Sequence, residues 1–148
     1  MSEFTYSLRY TIDPRANTPE KDAKFLKFVK EALIDNVAFF INPEELNASH
    51  LTAAETELWL DQIKPLQQEL AKLNVTTSLN PWTTIMHSDR GQVVNPEIGF
   101  RTMVDINGKQ ATSLGCPADP KWRNYLTERY AQYATIKPQE LWLEDDFR

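Results

Sequence analysis

Glycine is scarce in this chain: four occur in 148 residues, at positions 91, 99, 108 and 115. A dinucleotide fingerprint needs G-x-G-x-x-G and a P-loop needs G-x-x-x-x-G-K-[ST], because backbone amides must approach phosphate closely. Neither spacing occurs, so nucleotide sites of those two types are excluded. Cysteine is rarer still. Cys116 stands alone, which excludes an internal disulfide framework and a Cys-based zinc site. Long apolar runs are missing too: nothing approaches the roughly 18 residues of a membrane-crossing helix, and residues 1–10 lack the apolar core of a signal peptide. Runs of basic residues are absent, and 16 Lys+Arg against 21 Asp+Glu leave a net charge of −5. That balance argues against a nucleic-acid partner and against an anionic membrane surface. The expectation is a soluble protein of a reducing, cytoplasmic compartment.

What is present points to a folded α/β chain. A hydrophobic content of 41%, with 7 Phe, 5 Tyr and 4 Trp, is too high for disorder, and the length supports one domain over residues 1–148. Residues 4–12 are β-branched and aromatic with period two, a first strand ended by Asp13-Pro14. Thr18-Pro19 reads as a helix cap followed by proline at the first helical position, and Phe25, Phe28, Val29, Ala32 and Leu33 form one stripe. Residues 37–41 are a continuous apolar run, a second strand. Thr52 and Glu55 form a capping box ahead of a helix carrying Trp59, Ile63, Leu66, Leu70 and Leu73, with Pro65 expected to kink it. Residues 75–79 read as a third strand. Asp119-Pro120 opens a third helix, which buries Trp122, Tyr125, Leu126 and Tyr130, and residues 140–143 read as a fourth strand. The order β-α-β-α-β-α-β implies a parallel sheet with helical crossovers. Residues 80–118 form an insertion after strand three, far longer than the ordinary connection of about 2–6 residues. Asn107-Gly108 marks a β-hairpin within it, expected to lie over the carboxyl end of the sheet.

Ligands of parallel α/β folds bind beyond the carboxyl ends of the strands. The residues there are Asp13 and Arg15, then Asn42, then Asn80, Trp82 and His87, then Glu144, Asp145, Asp146 and Arg148. Three adjacent carboxylates repel one another and raise at least one carboxyl pKa, as a general acid requires; the plainer alternative is a solvated acidic stretch. Trp82 either stacks on the apolar face of a sugar ring or packs beneath the long insertion. His87 and Asp89 with Asp145 form a metal constellation in principle, but no H-x-H or H-E-x-x-H occurs and no metal ligand or cofactor is assigned. His50 reads as a surface residue. Arg9 and Tyr10 point to opposite faces of the first strand, and an inward Arg9 requires a carboxylate such as Asp145 or Asp146. Cys116, with no His nearby in sequence, reads as a turn residue rather than a nucleophile.

Three stretches carry a resemblance over essentially the whole chain. They are Phe100-Arg101-Thr102-Met103-Val104-Asp105 with Gly108-Lys109; Cys116-Pro117-Ala118-Asp119-Pro120; and Leu141-Trp142-Leu143-Glu144-Asp145-Asp146-Phe147-Arg148. Together they resemble the N-terminal part of a family of glycoside-hydrolase-like (β/α)8 barrels, related in style to the β-galactosidase-like clan, whose fourth strand ends W-[IV]-D-D-D-F-R. The resemblance implies a TIM barrel acting on carbohydrate, with Asp145 and Asp146 as catalytic residues. It also implies substrate contacts from Arg9, Asn80, Trp82, His87 and Arg148. Two features depart from the clan: its Asn-Glu pair at strand four is replaced here by the acidic triplet, and its second carboxylate comes from a seventh strand.

A complete barrel takes roughly 250 residues, so four strands and an insertion correspond to its N-terminal half. The expectation is a fragment inactive by itself, cut from a parent glycosidase, and able to form a homodimer through its exposed sheet edges. The alternatives are a carbohydrate-binding or interaction module of the same fold without hydrolysis, and a metal-dependent barrel enzyme using His87 with Asp145.

Overall fold

The computed structural model describes residues 4–43, 46, 49–82 and 92–143. Its elements, in chain order, are β1 (Ser7–Tyr10), α1 (Pro19–Glu31), β2 (Asn36–Ile41), α2 (Ala53–Lys72), β3 (Thr76–Pro81), β4 (Thr102–Val104), β5 (Gln110–Gly115) and α3 (Pro120–Ala134). The fold is mixed α/β, built around a parallel sheet of order β1-β2-β3. Among the described residues no helix is long and apolar enough to cross a membrane.

The helices start where local chemistry dictates. At α1 the Thr18 hydroxyl accepts from the Lys21 amide at 3.3 Å and Pro19 takes the first position, satisfying an otherwise orphaned donor. At α2 the Thr52 amide donates to Glu55 Oε2 at 2.7 Å, and the Glu55 amide donates back to Thr52 Oγ1 at 3.2 Å. Pro65 lies inside α2 on its exposed side without ending it, because water can take the carbonyl that the missing N–H leaves free. At α3 Asp119 caps the Lys121 amide and Pro120 follows.

The strand limits differ from the sequence pattern for identifiable reasons. The ladder of β1 begins at Ser7 opposite Asn36; just before it, the Tyr6 amide donates to the Asp35 carboxylate at 2.9 Å, where a ladder bond would otherwise form. β3 runs two residues past Leu79, through Asn80 to Pro81, because β2 offers partners as far as Ile41, whose carbonyl also accepts from the Trp82 amide at 3.0 Å. The fourth strand reduces to a parallel bridge of Leu141 with Leu79. There the Leu79 amide donates to Glu140 O and the Trp142 amide to Leu79 O, each at 2.9 Å.

Period-two alternation gives the sheet two unlike faces. Tyr10, Val37, Phe39, Ile41 and Leu79 join Phe25 and Val29 of α1, five residues of α2 including Trp59 and Leu60, and Tyr133 of α3 in one core cluster. Tyr10 stacks on Phe25 at 3.9 Å between ring centroids. Burying a side chain such as Phe39, 1% exposed, contributes about 1.5–3 kcal/mol. In the parallel register, Ser7, Asn36 and Thr76 fall level with one another, as do Arg9, Ala38 and Ser78. These residues, with Phe40 and Asn80, make the opposite face.

Between β3 and α3, β4 and β5 pair antiparallel. The turn joining them is held by Asp105, whose Oδ1 accepts from the amides of Asn107 and Lys109 at 2.8 Å each, with Gly108 at φ +82°. Phe100, Trp122 and Tyr125 form a second apolar cluster. Gly115 belongs to this packing: a Cβ there would collide with the Trp122 indole and lie 3.3 Å from Phe100 Cε2.

Candidate functional site

The carboxyl ends of β1 and β2 open beside a cleft of about 160 Å³ whose walls include Pro14, Arg15, Asn42 and Trp59. Arg15 is drawn back onto Asp13: its amide and its Nε both approach Asp13 Oδ1, at 3.0 and 3.1 Å. The Arg15 amide, then its side chain, hold the Asp13 carboxyl below the usual carboxylate range. Asn42 turns the chain out of β2 with φ +54°, a conformation that asparagine tolerates better than most residues. Its amide donates to Ser49 O at 3.0 Å. That volume is below the 300–1,000 Å³ typical of a site for a drug-sized ligand, so the cleft has the size of a subsite.

The face turned away from the helices carries a hydrogen-bonded polar ladder. Asn36, 5% exposed, is its hub. Its Nδ2 donates to Ser7 Oγ at 3.2 Å, and its Oδ1 accepts from Thr76 Oγ1 and Ser78 Oγ at 3.0 Å each. One asparagine thus ties three adjacent strands together. Toward the carboxyl end, the guanidinium of Arg9 lies 4.5 Å over the Phe40 ring, a cation–π contact. Asn80 follows on the same face, 1% exposed.

Of the residues expected to form the site, Arg9, Asn80 and Trp82 are described. The structure puts Arg9 and Asn80 on one face, at neighbouring levels of the sheet. Trp82 is 4% exposed, so its indole is packed rather than offered to solvent. His87 and Asp89, and Glu144, Asp145, Asp146 and Arg148, lie outside the described residues. The carboxylate expected beside Arg9 is among them. Among the described residues no group of three His, Cys, Asp or Glu side chains is arranged to hold a metal.

His50 is a correction. It is 1% exposed rather than on the surface, and its ring stands edge-on to Phe100 at 4.7 Å and to Tyr125 at 5.5 Å. Both partners lie fifty or more residues downstream, so no local pattern announces the packing. Tyr125 closes the arrangement by donating its hydroxyl to Leu51 O at 3.0 Å, and burial pushes its phenol well above the usual range. Sequence reasoning also missed Asn36 and Arg129. A polar residue opening an apolar run was the available signal for Asn36; for Arg129, it was a charge one turn after the buried Tyr125.

No family model, no curated protein and no solved structure matches the chain.

Proposed function

We propose that the chain is a carbohydrate-active domain of the glycoside-hydrolase type, forming the N-terminal half of a (β/α)8 barrel. The antiparallel β4–β5 pair is then the insertion after strand three, set over the carboxyl end of the sheet. The observation that carries this reading is the division of labour between the two sheet faces. Parallel strands follow one another in the order β1, β2, β3 and then the Leu141 bridge, and all three helices contribute to the core on one face. A doubly wound sheet reverses its strand order and covers both faces with helices, whereas a barrel winds in one direction and keeps its helices outside. The Asn36 ladder, Arg9, Phe40 and Asn80 then line the interior.

In this reading the segment pairing with β3 delivers the acidic triplet to the carboxyl end. Asp145 or Asp146 supplies the acid. Arg148, His87 and Arg9 orient the substrate, and Trp82 walls the site. A retaining mechanism needs a second carboxylate about 5–5.5 Å from the first, supplied in this fold by a later strand. The open edges at β1 and at Leu141 are where a second copy would pair.

The test is a panel of monosaccharides and oligosaccharides titrated into the chain by calorimetry, with aryl glycosides assayed in parallel for turnover. Saturable binding of one sugar class, weakened in the Asp145→Asn, Asp146→Asn double variant, is expected. Binding without turnover assigns hydrolysis to a protein that supplies the second carboxylate. Absence of binding across the panel would refute the carbohydrate reading.

A further inference from the structure

A second cleft, of about 500 Å³, lies between the start of α2 and one face of α3, and does not depend on the reading above. Its lining includes Ala53 and Ala54 of α2, and Lys121, Asn124, Tyr125 and Arg129 of α3, with Ile98 from the insertion. That volume is typical of a small-molecule site. Lys121, Asn124, Tyr125, Glu128 and Arg129 recur at helical spacing and share one face of α3.

Arg129 is the unusual member. It is 9% exposed, and its buried Nε and Nη1 find no hydrogen-bond partner among the described residues. A guanidinium carries five N–H donors, three of them on those two nitrogens. Among the described residues its charged and aromatic contacts are an ion pair of Nη2 with Glu128 at 3.8 Å, too long for a hydrogen bond, and the Tyr125 ring at 5.9 Å. Buried charges are normally paired and hydrogen-bonded, because removing them from water is costly. A second set of unused donors faces the same space. The Thr52 hydroxyl is engaged twice by Glu55, accepting from its amide and donating to its carboxylate, whereas among the described residues no acceptor takes the amides of Ala53 and Ala54. These open a helix of 20 residues, where the backbone dipole favours negative charge.

We propose that this cleft binds the oxyanion head, phosphate or carboxylate, of a small organic ligand. Arg129 and the Ala53 and Ala54 amides hold the head, Lys121 and Asn124 assist, and Tyr125 with Ile98 receives the apolar body. The carboxylates of Glu97 and Glu128, which also line the cleft, restrict it to one compact anion and exclude a polyanionic chain. Glu128 is 70% exposed and yields its place near Nη2 to a ligand that offers two oxygens at once, since bidentate charge-assisted pairs are the stronger ones.

The test titrates the isotope-labelled chain with inorganic phosphate and, separately, with acetate, at constant ionic strength set by sodium chloride. The readouts are the amide resonances of Ala53 and Ala54 and the Nε resonance of Arg129. Saturable shifts of all three with a midpoint below ~5 mM are expected for at least one anion. Saturation by phosphate alone identifies a phosphate head, by acetate alone a carboxylate head, and by both a general oxyanion site. Arg129→Met, which removes the unpaired charge, is expected to melt no lower than the parent without phosphate and to bind at least ~10-fold more weakly. Lys121→Ala, an exposed change, provides a second variant and weakens binding without loss of fold. Failure of both anions to saturate, or equal affinity in the parent and in both variants, would overturn the proposal.

Discussion

Replacing Asn36 by leucine removes the hub of the polar ladder while keeping a side chain branched at the same carbon, and the structure says where the cost falls. Thr76 is exposed and its hydroxyl also reaches Asp35 O at 3.2 Å, so it loses little. Ser78 is 0% exposed, and its hydroxyl donates to Asn36 Oδ1 at 3.0 Å. With that acceptor gone the buried hydroxyl is left unpaired, which costs about 1–3 kcal/mol. Removing both partners is far milder, since no polar group is then stranded. Asn36→Leu is therefore expected to destabilise by about 2 kcal/mol, and adding Ser78→Ala to recover about 1 kcal/mol or more of it. Urea unfolding of the parent, the two single variants and the double variant measures this as a cycle. Additive single effects, with coupling below about 0.5 kcal/mol, would refute the claim that this face is an interlocked polar surface.

Two further outcomes follow from the packing around the β4–β5 pair. Gly115→Ala pushes a methyl group into the Trp122 indole and is expected to cost about 1–3 kcal/mol by overpacking; Gly115→Ala combined with Trp122→Leu recovers part of that loss in urea unfolding. Asp119 accepts from the Arg101 amide at 2.5 Å and the Lys121 amide at 3.1 Å, and these bonds, the first above all, hold its carboxyl below the usual range. The stability it contributes is complete above the ordinary carboxylate pKa and is lost as pH falls through its lowered folded value. Asp119→Asn is expected to melt lower at pH 7 and to show a shallower acid dependence than the parent; parallel melting curves of parent and variant against pH would contradict this.

Local chemistry was legible in the sequence, and long-range partnership was not. Thr52 with Glu55, Thr18 with Pro19 and Asp119 with Pro120 each lie within four residues of one another, and all three helices start there. Alternation showed that Arg9 and Tyr10 oppose each other, and Tyr10 is indeed the one stacked on Phe25. The extent of β1 depended instead on where β2 begins, and the length of β3 on where β2 ends, so neither could be read from its own residues. His50 was misplaced because its aromatic partners, Phe100 and Tyr125, sit in the segment between β3 and α3 and on α3 itself. Arg129 resembled any helical surface charge until tertiary packing buried it. The Asp145 and Asp146 assignment, drawn from the run after Leu141-Trp142-Leu143, lies beyond the described residues and rests on the sequence and on the start of the strand.

That start is what the functional account depends on most. If residues 139–142 pair parallel with β3, the acidic triplet is carried toward the same end of the sheet as Asn80. Scalar coupling across hydrogen bonds, measured by NMR on the labelled chain, reads the pairing directly. The account predicts correlations from the Trp142 amide nitrogen to the Leu79 carbonyl carbon and from the Leu79 amide nitrogen to the Glu140 carbonyl carbon. A freely exchanging Trp142 amide without that correlation, or an antiparallel set of partners, would contradict it.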